Sequence, residues 1–341
     1  MKIVALEEHV VFPFLLDAWK RTGAVPEIAE HGFGDEPIAR RLRDTGTGRV
    51  ADMDAMGVDV QVLSVTTPGT TVFAPDDAVA IARDCNDALS ETVATRPDRF
   101  DAFATMPTPD PIGAAAELER AVQRLGLRGA LIYGRTGERN ADHASFEDLY
   151  ATAARLRVPL YIHPQMPPQA VASTYYADLG EPIETMFAGF GLGWYYETGV
   201  QLLRMIFAGV FDRHPTLQVI VGHWGELVLF YLEHTAVLQT MGLKLDRPLI
   251  DHFHQNVWIT GSGLLSERYM RWALEVVGPE RMMYSTDYPF TFDTDYRAMT
   301  TKSGAARSFI EQAHLLESDR HAIASGNWHE HCGGAYPRQD G

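Results

Sequence analysis

Short apolar runs of β type recur along the chain at residues 3–6, 58–64, 100–105, 129–132, 158–162, 217–221, 257–259 and 282–285, and each predicts a strand. Between most of them lie segments whose apolar residues recur every three and four positions, at 76–94, 111–125, 146–156, 197–211 and 267–277, which predicts helices. Strand–helix alternation of this kind implies a parallel sheet. An open, doubly wound sheet would carry a glycine-rich phosphate turn after its first strand. Here the first strand runs instead into Glu7-Glu8-His9. Eight candidate strands without a G-x-G-x-x-G turn predict an α/β fold of the closed kind, a (β/α)8 TIM barrel. Two stretches, 23–44 and 164–191, read as loops inserted at the C-terminal face of the strands, where loops build substrate pockets.

The chain has 341 residues, more than the roughly 250 such a barrel needs, and with these insertions one domain over 1–341 is expected. No internal repeat or composition shift marks a linker. Hydrophobic residues make up 46% and charged residues 22%, a balance that predicts a globular protein with a large core. The formal charge of −16 repels nucleic-acid backbones and anionic lipid surfaces, so neither is an expected partner. Cys85 and Cys332 show no C-x-x-C spacing, which argues against a disulfide framework and a thiolate zinc site. The apolar start is too short for a signal-peptide core, and no run approaches the roughly 20 apolar residues of a membrane helix. A cytoplasmic protein is expected.

Glu7 and His9 lie two apart on a predicted strand, so their side chains share a face while Glu8 points the opposite way. A carboxylate and an imidazole delivered together at a strand end form half of a divalent-metal site; a polar pair that merely ends a strand is the other reading. His163 closes its strand and is followed at once by Pro164; taken alone it also reads as a hydrogen-bonded core histidine. His223 occupies the equivalent place after 217–221, within Gly222-His223-Trp224-Gly225-Glu226. Three residues on, Glu226 is placed to orient that imidazole, or else to sit solvated in a first helical turn. Asp287 ends the last strand, where a carboxylate can touch a metal, exchange protons, or cap a helix. Together these residues fall at the ends of strands one, five, six and eight, where a barrel converges its active site.

The ordered set Leu6-Glu7-Glu8-His9, Tyr161-Ile162-His163-Pro164, Gly222 to Glu226 and Tyr284 to Pro289 resembles the aminocarboxymuconate-semialdehyde decarboxylase-like branch of the amidohydrolase superfamily. Within it the chain is most similar to γ-resorcylate and 5-carboxyvanillate decarboxylases. The resemblance implies one divalent ion, zinc or manganese, on Glu7, His9, His163 and Asp287, with His223 as a catalytic histidine and Glu226 as its partner. It also implies a homodimer or homotetramer acting on a small carboxylic acid: a non-oxidative decarboxylase in which Asp287 protonates the ring carbon. A lactone or amide hydrolase of the same superfamily is the alternative, and a catalytically silent binding barrel a second. The chain departs from the decarboxylase pattern at two positions. His234 stands where an arginine clamp is usual, eight residues after Glu226, and Tyr133 stands where the γ-resorcylate pattern has asparagine. Eight residues is about two helical turns, so His234 is expected on the face of Glu226 as a weaker, titratable substrate contact.

Overall fold

The structure is a computed structural model, and it describes residues 1–23, 37–291 and 305–332. Its strands are β1 (Val4–Val10), β2 (Val60–Val65), β3 (Phe100–Ala102), β4 (Ala104–Thr105), β5 (Ala130–Ile132), β6 (Leu160–Ile162), β7 (Val219–Val221) and β8 (Val257–Ile259). All pairings are parallel, in the order β1-β2-β3 and β4-β5-β6-β7-β8. The third barrel position is a single strand broken at Phe103. The Phe103 N–H donates to the Leu63 carbonyl at 2.9 Å, and the next N–H, of Ala104, donates across to Gly129 at 2.9 Å. Residues 282–285 complete the circle: Met283 donates to Ile259, and Leu6 on β1 donates to Tyr284, with bridges at Met282 and Ser285. The eight predicted strand positions are thus all occupied, the eighth by bridges rather than by a regular strand.

The sheet separates two buried apolar groups. Val4, Leu6, Val62, Leu131, Tyr161, Ile220, Trp258 and Met283 fill the barrel interior, joined by Trp328 and Cys332 from the end of the chain. A larger group lies between strands and helices, with β residues such as Ala5, Leu63, Ile132 and Val221 facing Leu89, Leu118, Leu149 and Met205. Strands buried on both faces are expected of a barrel ringed by helices. The helices follow prediction closely at Pro75–Thr95, Pro111–Gln123, Glu147–Leu156 and Glu267–Val277. The segment expected to be helical over 197–211 is two helices, Gly193–Phe207 and Val210–Arg213, split at Gly209, whose φ of 70° is left-handed.

The expected loop 164–191 contains short helices at Gln169–Tyr175 and Ile183–Met186. Neither buries a residue, so neither leaves an apolar periodicity to be read. The expected loop 23–44 falls largely outside the described residues, and its last part forms the helix Pro37–Arg43. No helix of the described residues is long and apolar enough to cross a membrane.

Candidate metal centre and active site

The first strand can deliver two inward groups because it bulges. Ala5 pairs with Gln61 but Glu8 pairs with Leu63, so β1 carries one extra residue, and Glu7 takes it up at a left-handed φ of 63°. Glu7 and His9 are fully buried. Glu7 Oε2 accepts from the Tyr161 hydroxyl at 2.5 Å and from the Ser262 hydroxyl, whereas its Oε1 has no hydrogen-bond partner among the described residues. His163 Nδ1 donates to the Pro164 carbonyl at 2.7 Å, which places the proton there and turns a bare Nε2 to within 3.5 Å of Glu7 Oε1. His9 Nε2 is likewise buried without a hydrogen-bond partner and lies 3.3 Å from Asp287 Oδ1.

One ligand atom each from Glu7, His9 and His163 lies within 4.8 Å of the other two. Burial pulls His9 down to about 3, helped by Arg49 and His223, and pulls His163 well below its usual value. Both imidazoles are therefore neutral, with lone pairs available. One carboxylate oxygen and two neutral imidazole nitrogens, converging in a buried space where Glu7 Oε1 and His9 Nε2 have no hydrogen-bond partner among the described residues, fit a divalent metal ion. The Asp287 carboxyl adjoins them, raised toward neutrality by burial against an opposing pull from His223.

His223 and Glu226 sit on a left-handed turn, where φ runs 45°, 60°, 89°, 53° and 64° from His223 to Leu227. The turn folds Glu226 back so that its Oε1 accepts from His223 Nδ1 at 2.9 Å. Burial would lower the His223 pKa, but Glu226, Glu7 and Asp287 together carry it up to about 9. At neutral pH this ring is an imidazolium held by Glu226, with Nε2–H as its second donor.

Aromatic side chains wall the group. Tyr133 stands perpendicular to His163 at 5.8 Å, Trp194 lies 6.4 Å from the same ring, Phe290 5.6 Å from His9 and Tyr195 4.3 Å from His223. Tyr133 is thus at the site, but its hydroxyl donates to the Val65 carbonyl at 2.8 Å, leaving the ring as its contribution.

The structure does not bring His234 to this group. It is exposed on the helix Val228–Thr240, which begins only after the left-handed turn. Counting two helical turns from Glu226 assumed one continuous helix, and the positive φ values of 224–227 break it. Tyr161 and Ser262, which hold Glu7, escaped the sequence reading. Tyr161 is two residues before His163 and shares its inward face, the same signal that paired Glu7 with His9; Ser262, in a loop, offers no such signal.

The profile of the amidohydrolase family matches residues 18–327. The chain is 36% identical to decarboxylase orsB of Emericella nidulans, over 84% of this chain and 86% of the relative. It is 32% identical to a γ-resorcylate decarboxylase of Rhodococcus jostii, over 95% and 96%. A solved dihydroxybenzoic acid decarboxylase from Polaromonas, with bound manganese and the inhibitor 2-nitroresorcinol, superposes with a TM-score of 0.81 at 30% identity, covering 96% of each chain. The chain therefore belongs to the amidohydrolase family, in its decarboxylase branch.

Proposed function

We propose that the protein is a metal-dependent, non-oxidative decarboxylase of hydroxylated aromatic carboxylic acids, with one zinc or manganese ion on Glu7, His9, His163 and Asp287. The observation that carries this reading is the convergence of ligand atoms from Glu7, His9 and His163, with Glu7 Oε1 and His9 Nε2 lacking hydrogen-bond partners among the described residues, beside the Asp287 carboxyl, which burial raises. When bound, the ion supplies Lewis acidity that draws charge from the substrate's carboxylate and ortho oxygens.

The protein's own groups do the rest. Asp287 takes up a proton as the bound substrate encloses it and delivers that proton to the ring carbon that bears the carboxylate. The bond from that carbon to the carboxylate then breaks, CO2 departs, and the bonding pair restores the aromatic ring. Asp287 is left ionised and recovers its proton from solvent. The His223 imidazolium, fixed by Glu226, orients the anionic substrate against Tyr195, while Tyr133, Trp194 and Phe290 keep water from the reacting carbon.

The test is CO2 release across a panel of hydroxybenzoates, run beside a panel of lactones and before and after chelation. We expect CO2 from ortho-hydroxybenzoates, lost on chelation and restored by Mn2+ or Zn2+. Lactone hydrolysis without CO2 release would instead establish the hydrolase alternative. His163→Ala should lose metal and activity together, and full metal content with unchanged turnover in that variant would sink the ligand assignment. Glu226→Gln should lower kcat on the order of 10–100-fold, the usual cost of removing a group that orients another.

The same reading includes a cytoplasmic homodimer or homotetramer. Support for the compartment comes from Cys85 and Cys332, both buried and unpaired thiols. Support for the assembly comes from the aromatic surface around Phe230, Tyr231 and Trp272.

A further inference from the structure

Glu8 is fully buried on the face of β1 opposite to the metal group, and nothing in the proposed chemistry uses it. Its surroundings are specific. Glu8 Oε1 accepts from the Thr286 backbone N–H at 2.9 Å and Oε2 from the Thr286 hydroxyl at 2.6 Å, so both oxygens grip the residue immediately before Asp287. Gln61 Nε2 donates to Oε2 at 2.8 Å. The Gln61 side-chain oxygen Oε1 accepts from Arg49 Nε at 2.7 Å, and Arg49 Nη1 donates to the His9 backbone carbonyl at 2.9 Å. A continuous buried path therefore joins the strand that carries Glu7 and His9 to the turn that carries Asp287.

The residue after Asp287 is held as well. The Tyr288 ring lies under the Arg49 guanidinium at 4.5 Å, its hydroxyl donates to Asp52 at 2.7 Å, and its carbonyl accepts from the His9 N–H at 2.7 Å. Asp287, between these anchors, has a φ of 55°, a conformation unfavourable for a residue with a side chain and kept only where neighbours enforce it. A carboxylate used solely to fill the space behind a strand would not need both oxygens on one residue of another strand end.

We propose that Glu8, acting through Thr286, is the positioning residue that holds Asp287 against the metal group. This rests on the reading of Asp287 as the fourth ligand. The test is the Mn2+ affinity of the chelator-stripped full-length protein, measured by competition with a metal indicator for wild type, Glu8→Gln, Thr286→Val, Asp287→Asn and the two double variants with Asp287→Asn. Each of Glu8→Gln and Thr286→Val should weaken Mn2+ binding on the order of 10–100-fold. In the Asp287→Asn background the same changes should alter affinity by less than about twofold, because the group they position no longer ligates. An equal loss in both backgrounds would show that Glu8 acts on β1 or on the fold at large, and no loss in either single variant would show that it positions nothing; both overturn the proposal. Should Glu8→Gln fail to fold, as thermal melting would reveal, Thr286→Val carries the same cycle. A wild-type protein that binds no Mn2+ would overturn the metal centre itself, an outcome distinct from these.

Discussion

The four proposed ligands divide by what burial does to each charge. Desolvation leaves His9 and His163 neutral, so these rings accept a cation without first losing a proton. The same desolvation raises the carboxyls, Glu7 to about 8 and Asp287 to about 7, so in the metal-free protein both gain protons as pH falls through the neutral range. A carboxyl whose pKa is higher folded than unfolded stabilises the fold fully below its unfolded value and loses that contribution as pH rises through the folded one. The metal-free protein should therefore lose stability as pH climbs from about 5 toward 8, while the loaded protein, its carboxylates compensated by the cation, should not. We expect the melting-temperature difference between loaded and stripped protein to widen from pH 6 to pH 8, with protons released on Mn2+ binding. A gap that stays constant over that range in scanning calorimetry would show that Glu7 and Asp287 are already ionised before the metal arrives. That these residues gather was legible in the sequence, because Glu7, His9, His163, His223 and Asp287 all close apolar runs. The direction of each charge effect was not, since it depends on a burial that only the folded neighbours supply.

Among the elements, the site depends on departures from regular geometry: the bulge in β1 and the left-handed turn after β7. The pairing of Glu7 with His9 was readable from strand periodicity, and the helix that follows the turn was misjudged for the same reason. Periodicity presumes regular backbone: on β1 the bulge at Glu7 resets the alternation and turns Glu7 inward with His9, whereas the five positive φ values after β7 break the helical count, and His234 lies exposed beyond them. Gly222, at the entrance to the turn, gives a direct test. A Cβ added there would lie 2.3 Å from the Ser262 hydroxyl oxygen, and 3.1 Å from both Glu7 Oε2 and the Tyr161 hydroxyl oxygen. Gly222→Ala should displace Ser262 from Glu7 and turn the carboxylate away from the imidazoles. We expect a destabilisation of about 1–3 kcal/mol, as for overpacking in general, accompanied by loss of most bound metal as read by elemental analysis. Retention of full metal content would mean that the Glu7 cradle yields without moving its ligand oxygen.

On the scale of the whole molecule, the barrel was the most legible feature, because eight buried strands must each present apolar residues to both sides and so stand out against the amphipathic helices between them. Surfaces leave no such imprint, and the structure shows one that the sequence did not announce. Tyr196 on the helix Gly193–Phe207, Phe230 and Tyr231 on Val228–Thr240, and Tyr269 and Trp272 on Glu267–Val277 are all exposed large residues, with Phe230 stacked on Trp272 at 5.0 Å and set edge-on to Tyr231 at 5.0 Å. Val228–Thr240 buries only Val228, Leu229 and Leu232 against its own chain, although Val237, Leu238 and Met241, the residue just beyond its end, are apolar too. A helix apolar on both its inner and outer sides is built to be covered on both, and aromatic groups of this size dominate the energetics of protein interfaces. The proposed homodimer or homotetramer would cover this face, in an interface expected to bury about 1,600 Å² in total. At micromolar concentration, light scattering should give a mass at least twice that of the chain. Phe230→Asp combined with Trp272→Asp should raise the dissociation constant more than about 100-fold, two central aromatic anchors being worth about 2 kcal/mol or more each, while leaving the metal content of the separated chains intact. A wild-type monomer, or an unchanged assembly in the double variant, would show that this aromatic face is not the subunit contact.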